Sequence, residues 1–147
     1  MQRHNIQPED GPALRVLCID DNRDLADSAA DLLGAVGFQT RACYDGPSAL
    51  VEATTFRPGV CLIDLNMPGM DGDELAVALR EQANGLPIVL VAVTAASNDR
   101  DAARIKAAGF DLKFIKPVDP QQLVLVVDTL WRAWLRWALK NNHAVHP

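Results

Sequence analysis

Short apolar runs alternate with segments of helical periodicity along the whole chain, and this alternation constrains the fold more than any other feature. The predicted strands are Leu14–Ile19, Phe38–Cys43, Val60–Ile63, Ile88–Val93 and Lys113–Ile115. The predicted helices cover the periodic apolar residues from Leu25 to Val36, then Pro47–Thr54, the region of Leu75 and Leu79, Asp99–Ala108, and a last segment that begins near Asp119. Short connections between strands and helices favour right-handed crossovers. The sequence therefore predicts an α/β fold in which one five-stranded parallel sheet, in the order 2-1-3-4-5, is covered by helices on both faces.

Length and charge exclude several classes of protein. A chain of 147 residues has room for one domain of common size. The formal net charge is −5 and Lys and Arg form no long run, so direct binding to nucleic acid is disfavoured. No apolar stretch reaches the ~18 residues that span a bilayer, and the first residues lack the hydrophobic region of a signal peptide, so we expect a cytoplasmic protein without a membrane anchor. We expect a flexible segment over residues 1–13, one domain over 14–132, and an extension of the last helix with a tail over 133–147.

The three cysteines do not form a metal or redox motif. Cys18, Cys43 and Cys61 lie in or at the end of the predicted strands, without CxxC spacing or a nearby His. Free Cys is among the most buried residue types, so we predict that all three are small core residues.

Polar residues follow four of the apolar runs, at the point where each predicted strand ends. Asp20 and Asp21 follow the first run, Asp64 the third, Thr94 the fourth and Lys116 the fifth. In the order 2-1-3-4-5, strands 1 and 3 are neighbours, so the three carboxylates should lie together where open α/β sheets bind ligands.

Three carboxylates at one point repel each other, and their proximity would raise some of their pKa values. A divalent cation relieves that repulsion, and Mg²⁺ suits a site of a few carboxylates, a backbone carbonyl and waters. A carboxylate beside Mg²⁺ is also a plausible nucleophile for an aspartyl phosphate. Thr94 and Lys116 would supply the hydroxyl and the ammonium group that neutralise and position a phosphoryl group.

Four segments together resemble the receiver domain of two-component response regulators, over about Leu14 to Leu130. They are VLCIDDNRD, LIDLNMPGMDG, VAVTAAS and AGFDLKFIKPVDP. Each is weak alone, but all four in this order and spacing are specific. The resemblance implies a flavodoxin-like fold with five helices.

The resemblance also implies a role for each site residue. Asp64 would accept a phosphoryl group from a phosphohistidine on a sensor histidine kinase or a histidine phosphotransfer protein. Asp21, Asp64 and the backbone carbonyl of Asn66 would bind Mg²⁺, with Asp20 acting partly through water. Thr94 would be the switch hydroxyl, and Lys116 would bind the phosphate and precede a cis peptide bond to Pro117. Such a domain is a phosphoacceptor regulator that assists its own phosphotransfer and dephosphorylation.

Other interpretations of these residues remain open. Asp20 and Asp21 could only cap the first helix, Asp64 could be a solubilising charge at a strand end, Thr94 a β-branched strand residue, and Lys116 a solvated charge. The chain could also be an excised receiver of a hybrid kinase, a non-phosphorylated receiver-like interaction module, or a small aspartate-based phosphatase or phosphotransferase.

Two features differ from what is usual in this family. Lys113 stands where an aromatic switch residue is common, and burying an ammonium group is costly, so we predict that Lys113 faces solvent. All three tryptophans, Trp131, Trp134 and Trp137, lie within seven residues of the last helix. We expect Trp134 and Trp137 to lie beyond the edge of the sheet as an exposed patch and to form a homodimer or partner interface. The alternative is that the end of this helix folds back over its own domain.

Overall fold

A computed structural model describes residues 13–95 and 98–141. The predicted N-terminal segment 1–13 therefore lies outside the described residues except for residue 13. The predicted C-terminal extension 133–147 lies outside them from residue 142 onward. In chain order the elements are β1 (Arg15–Ile19), α1 (Arg23–Ala35), β2 (Gln39–Cys43), α2 (Gly46–Phe56), β3 (Val60–Asp64), α3 (Gly72–Ala83), β4 (Val89–Thr94), α4 (Asp99–Ala108), β5 (Leu112–Ile115) and α5 (Pro120–Asn141).

The strands form one parallel sheet in the order β2-β1-β3-β4-β5, which confirms the predicted fold. All five residues of β3 are buried because this strand is central and is covered on both faces. β5 is at the edge of the sheet, and three of its four residues are exposed.

Alternate residues of β1 point into two separate cores, as the period of two in a strand requires. Leu17 and Ile19 pack with α2 and α3 on one face of the sheet. Val16 and Cys18 pack with α1 and α5 on the other face. Cys18, Cys43 and Cys61 are buried and unbridged, as predicted for core residues.

The first helices begin and end at residues with clear capping roles. The side chain of Asn22 accepts a hydrogen bond from the backbone N–H of Leu25, and Asp45 does the same for Ser48 at the start of α2. α4 ends at Gly109, whose φ of +81° is open to glycine without strain. The caps at Asn22 and Asp45 therefore fix where the loops after β1 and β2 end.

α5 continues to Asn141 and covers part of its own domain. Trp131 is only 1% exposed, and Trp134 is half-buried against the core on the α1 and α5 side of the sheet. The expectation that Trp134 lies free beyond the sheet is therefore wrong, because the longer helix brings its indole over the amino ends of the strands. Trp137 is also half-buried, so the expectation of an exposed indole is wrong there too, whereas Leu139 is 64% exposed. None of the described helices is long and apolar enough to cross a membrane.

Candidate functional site

Three carboxylates meet at the carboxyl ends of β1 and β3. Asp20 and Asp21 follow β1, and Asp64 is the last residue of β3. Ile19 pairs with Ile63 in the sheet, so the next residues of the two strands are neighbours. One carboxylate oxygen from each of the three Asp residues lies within 4.8 Å of the others. Asp20 and Asp64 are 7% and 6% exposed, while Asp21 is open to solvent.

Lys116 reaches this group from the loop after β5. Its Nζ atom lies 3.0 Å from Oδ2 of Asp20 and 3.3 Å from Oδ1 of Asp64. The backbone N–H of Lys116 donates to the carbonyl oxygen of Thr94, and the peptide bond to Pro117 is cis, as the sequence resemblance implied. Partial burial alone would lower the pKa of Lys116, but the hydrogen bond with Asp20 and the charges of Asp64 and Asp20 raise it. This ammonium group is therefore firmly cationic.

The carboxyl group of Asp64 is destabilised in its ionised form. Burial, a hydrogen bond with Asp21 and the charge of Asp20 raise the pKa of Asp64 to about 7, although Lys116 opposes the shift. A single ammonium group thus does not balance three carboxylates. Because the site offers oxygen ligands and excess negative charge, it fits a hard divalent cation such as Mg²⁺.

Thr94 ends β4, beside the acidic group. Asp64 pairs with Val93, so Thr94 lies one residue further along the neighbouring strand. The residue is fully buried. A buried residue with a hydroxyl group thus stands at the carboxyl end of β4, next to the end of β3.

The loop between β3 and α3 folds tightly back on the end of β3. The N–H of Gly72 donates to the carbonyl oxygen of Leu65, and a Cβ atom on Gly72 would clash with the carbonyl oxygen of Asp64. The N–H of Met67 donates to Oδ1 of Asp71. Glycine is therefore required at position 72 by the close approach of two backbone segments.

The structure brings Asp20, Asp21, Asp64 and Lys116 together. Thr94 ends the neighbouring strand, and Arg104, which was not predicted, contacts the loop after β3. Asn66 follows Asp64 by two residues, and its side chain accepts a hydrogen bond of 2.7 Å from Arg104 of α4. Arg104 also pairs with Asp73, and their hydrogen bond lowers the pKa of Asp73. The sequence does not indicate this role of Arg104, because Asn66 and Asp73 lie more than 30 residues away from it along the chain.

Lys113, which stands where an aromatic switch residue is common in this family, is exposed, as predicted. Lys113 lies on the solvent side of the edge strand β5. Phe114 is half-buried and packs against the core that β1 shares with α1 and α5.

Comparison with known proteins identifies the family of this chain. The family model of the response regulator receiver domain matches residues 16–128. The transcriptional regulatory protein PrrA of Mycobacterium leprae is 36% identical over 118 residues, which are 80% of this chain and 50% of that protein. The chain thus spans about half the length of this curated relative.

Solved structures show the same fold. The chemotaxis protein CheY4 of Vibrio cholerae superposes with a TM-score of 0.74 at 26% identity, over 81% of this chain and 99% of that one. The receiver domain of a Luxo repressor protein from Vibrio parahaemolyticus has a TM-score of 0.79 at 20% identity, over 90% and 100% of the two chains. This chain belongs to the response regulator receiver domain family and is a receiver domain of two-component signalling.

Proposed function

We propose that Asp64 is the phosphoacceptor and that the chain signals through protein contacts. The observation that carries this proposal is the convergence of Asp20, Asp21 and Asp64 with the ammonium group of Lys116 at one edge of the sheet. The donor is a phosphohistidine on a sensor histidine kinase or a histidine phosphotransfer protein. A cytoplasmic location stays a prediction.

The step moves one phosphoryl group between two residues. An ionised carboxylate oxygen of Asp64 attacks phosphorus, the bond between phosphorus and the donor imidazole nitrogen breaks, and the imidazole leaves with its electron pair. The product is an acyl phosphate on Asp64. Asp20, Asp21, Asp64 and the backbone carbonyl of Asn66 would hold Mg²⁺, which would neutralise charge on the phosphoryl oxygens.

Lys116 and Thr94 have separate roles in this proposal. Lys116 already lies within reach of Asp64 and would pair with the phosphoryl group once it is attached. The hydroxyl of Thr94 would donate to a phosphoryl oxygen and draw the loop after β4 toward the site. The same groups, with water as the nucleophile, would let the domain assist its own dephosphorylation.

The test compares two variants in which a buried Asp is replaced by Asn, one at the site and one on α5. Asp64→Asn keeps the shape of the side chain but cannot form an acyl phosphate. Asp128→Asn changes an equally buried Asp on α5, where Arg132 is the partner. After incubation with Mg²⁺ and acetyl phosphate, intact mass spectrometry should show one added phosphoryl group on the wild type and on Asp128→Asn, and none on Asp64→Asn.

Three outcomes would contradict the proposal. A phosphoryl group on Asp64→Asn that resists hydroxylamine and acid would show that another residue is the acceptor. Loss of the adduct in the wild type would favour an interaction module that is not phosphorylated. Repeated turnover of small phosphate esters without a protein adduct would favour the phosphatase or phosphotransferase interpretation.

A further inference from the structure

One arginine of α4 ties that helix to the loop that follows Asp64. The guanidinium group of Arg104 forms a two-pronged pair with Asp73, from Nε at 3.2 Å and from NH2 at 3.0 Å. Its NH1 donates to Oδ1 of Asn66 at 2.7 Å and to Oδ1 of Asp101 at 3.3 Å. Its NH2 also donates to the carbonyl oxygen of Leu65 at 3.3 Å.

These contacts use the planar, fixed geometry of a guanidinium group. Only a side chain with several donors in one plane can join α3, α4 and the loop after β3 at the same time. The Arg104 side chain is 22% exposed and the Asp73 side chain 27% exposed, so water competes only partly with the pair. Arg104 therefore connects α3, α4 and the loop after β3 by hydrogen bonds.

The contacts of Arg104 restrain the peptide group that contains the Asn66 carbonyl. This carbonyl and the N–H of Met67 belong to one planar peptide unit, so an anchor on one fixes the orientation of the other. The N–H of Met67 donates to Asp71, whose second oxygen lies 3.6 Å from NH2 of Arg104. Arg104 thus restrains the peptide unit from two sides, through the Asn66 side chain and through Asp71.

We propose that Arg104 is a positioning residue that orients the Asn66 carbonyl toward the divalent cation and so links α4 to the metal site. This inference rests on the proposed function, in which that carbonyl is a ligand. Restraint before binding favours affinity because less conformational entropy is lost when the cation arrives. By linkage, a partner that displaces α4 would weaken cation binding, and the bound cation would in turn oppose that displacement.

The first test is a calorimetric titration of the whole chain with Mg²⁺. Arg104→Met removes all the donors but keeps a long apolar stem. Arg100→Met makes the same change one turn earlier on α4, at an exposed residue. We expect the dissociation constant for Mg²⁺ to rise about tenfold in Arg104→Met, the lower end of the effect of losing an outer partner of a metal ligand, and to stay at the wild-type value in Arg100→Met.

A second readout separates positioning from general damage. The initial rate of phosphorylation by acetyl phosphate is measured against the concentration of Mg²⁺ for the same three proteins. Positioning predicts that Arg104→Met needs about tenfold more Mg²⁺ for half of its maximal rate, while the maximal rate at saturating Mg²⁺ is kept. A loss of maximal rate with unchanged half-saturation would overturn the inference.

Arg104→Lys covers the case in which the Met variant does not fold. Its single ammonium group keeps the charge beside Asp73 but cannot also reach Asn66 and Leu65. We expect its affinity for Mg²⁺ to fall as well, and wild-type affinity in Arg104→Lys would show that charge alone is enough and that the inference is wrong. If the wild type itself neither binds Mg²⁺ nor gains a phosphoryl group, the proposed function has failed and the result does not concern Arg104.

Discussion

The two ends of the sheet are built on opposite principles. At the carboxyl ends of the strands, Asp20 and Asp64 are buried beside each other with one ammonium group between them. At the amino ends, Leu14 is 1% exposed and packs in the same core as Trp131, while Trp134 lies near Gly59. The first end concentrates charges that repel one another, and the second contains closely packed apolar groups.

This difference shows where the domain gains stability and where it loses it. Burial of Asp64 among other carboxylates raises its pKa to about 7, which means that its ionised form weakens the folded state. Burial of a large aromatic side chain stabilises the fold by several kcal/mol. We therefore expect substitutions at the two ends to have opposite signs for stability and opposite consequences for phosphorylation.

The largest effect on stability should follow from Trp131→Ala. The indole is 1% exposed, and its loss leaves a cavity between α5 and the sheet. We expect the free energy of unfolding to fall by about 4 kcal/mol, measured by urea denaturation. Phosphorylation on ice should persist in the molecules that stay folded. A loss below about 1 kcal/mol would mean that the amino end is not the part that stabilises the domain.

The second effect has the opposite sign. In the absence of divalent cations at pH 8, Asp64→Asn should raise the free energy of unfolding by about 2 kcal/mol, because the neutral amide removes the repulsion and Lys116 keeps Asp20 as a partner. At pH 5, where Asp64 in the folded protein is mostly protonated, the difference should be smaller, and it should vanish as the pH falls to about 4, the usual pKa of an Asp in an unfolded chain. A destabilised Asp64→Asn at pH 8 would show that the ion pair with Lys116 outweighs the repulsion.

The third effect concerns the wild type and Mg²⁺. A carboxyl group whose pKa is higher in the folded state than in the unfolded state contributes most to stability at low pH, and that contribution is lost as the pH rises from about 4 to about 7. Mg²⁺ should reverse this loss at pH 8, by about 1.4 kcal/mol when its concentration is ten times the dissociation constant. At pH 5 protons compete with the cation, so the stabilisation should shrink. Equal stabilisation by Mg²⁺ at both pH values, measured from melting temperatures, would place the cation away from Asp64.

The fold and the acidic site could be predicted because their signals are local in the sequence. Asp20, Asp64, Thr94 and Lys116 each stand at the last residue of a strand or directly after it. Parallel pairing brings such positions to one edge, as it does for Asp20 and Asp64. Arg104 could not be predicted, because its role depends on how α4 lies against the loop after β3. Trp134 was placed wrongly because its burial depends on how far α5 continues and which part of the sheet its last turns cover.

The smallest effect on stability concerns the exposed side of α5. This prediction tests whether the end of α5, which lies near the amino ends of the strands, binds a second copy of the chain. We retain the prediction of a homodimer or partner interface at the end of this helix, now centred on Leu139 and not on Trp134, which packs on its own domain. Leu139 is 64% exposed and Leu125 on the same helix is 61% exposed, so the two are matched. Leu139→Lys and Leu125→Lys should each change the free energy of unfolding by less than about 0.5 kcal/mol.

Sedimentation tests whether the end of α5 joins two copies of the chain. If it does, wild type and Leu125→Lys should sediment as dimers at ~100 μM, and Leu139→Lys should sediment as a monomer. This concentration reveals any contact with a Kd tighter than ~100 μM. Wild type that sediments as a monomer at this concentration would rule out the homodimer, and the exposed apolar residues would then be either a surface for another protein or a tolerated part of the helix.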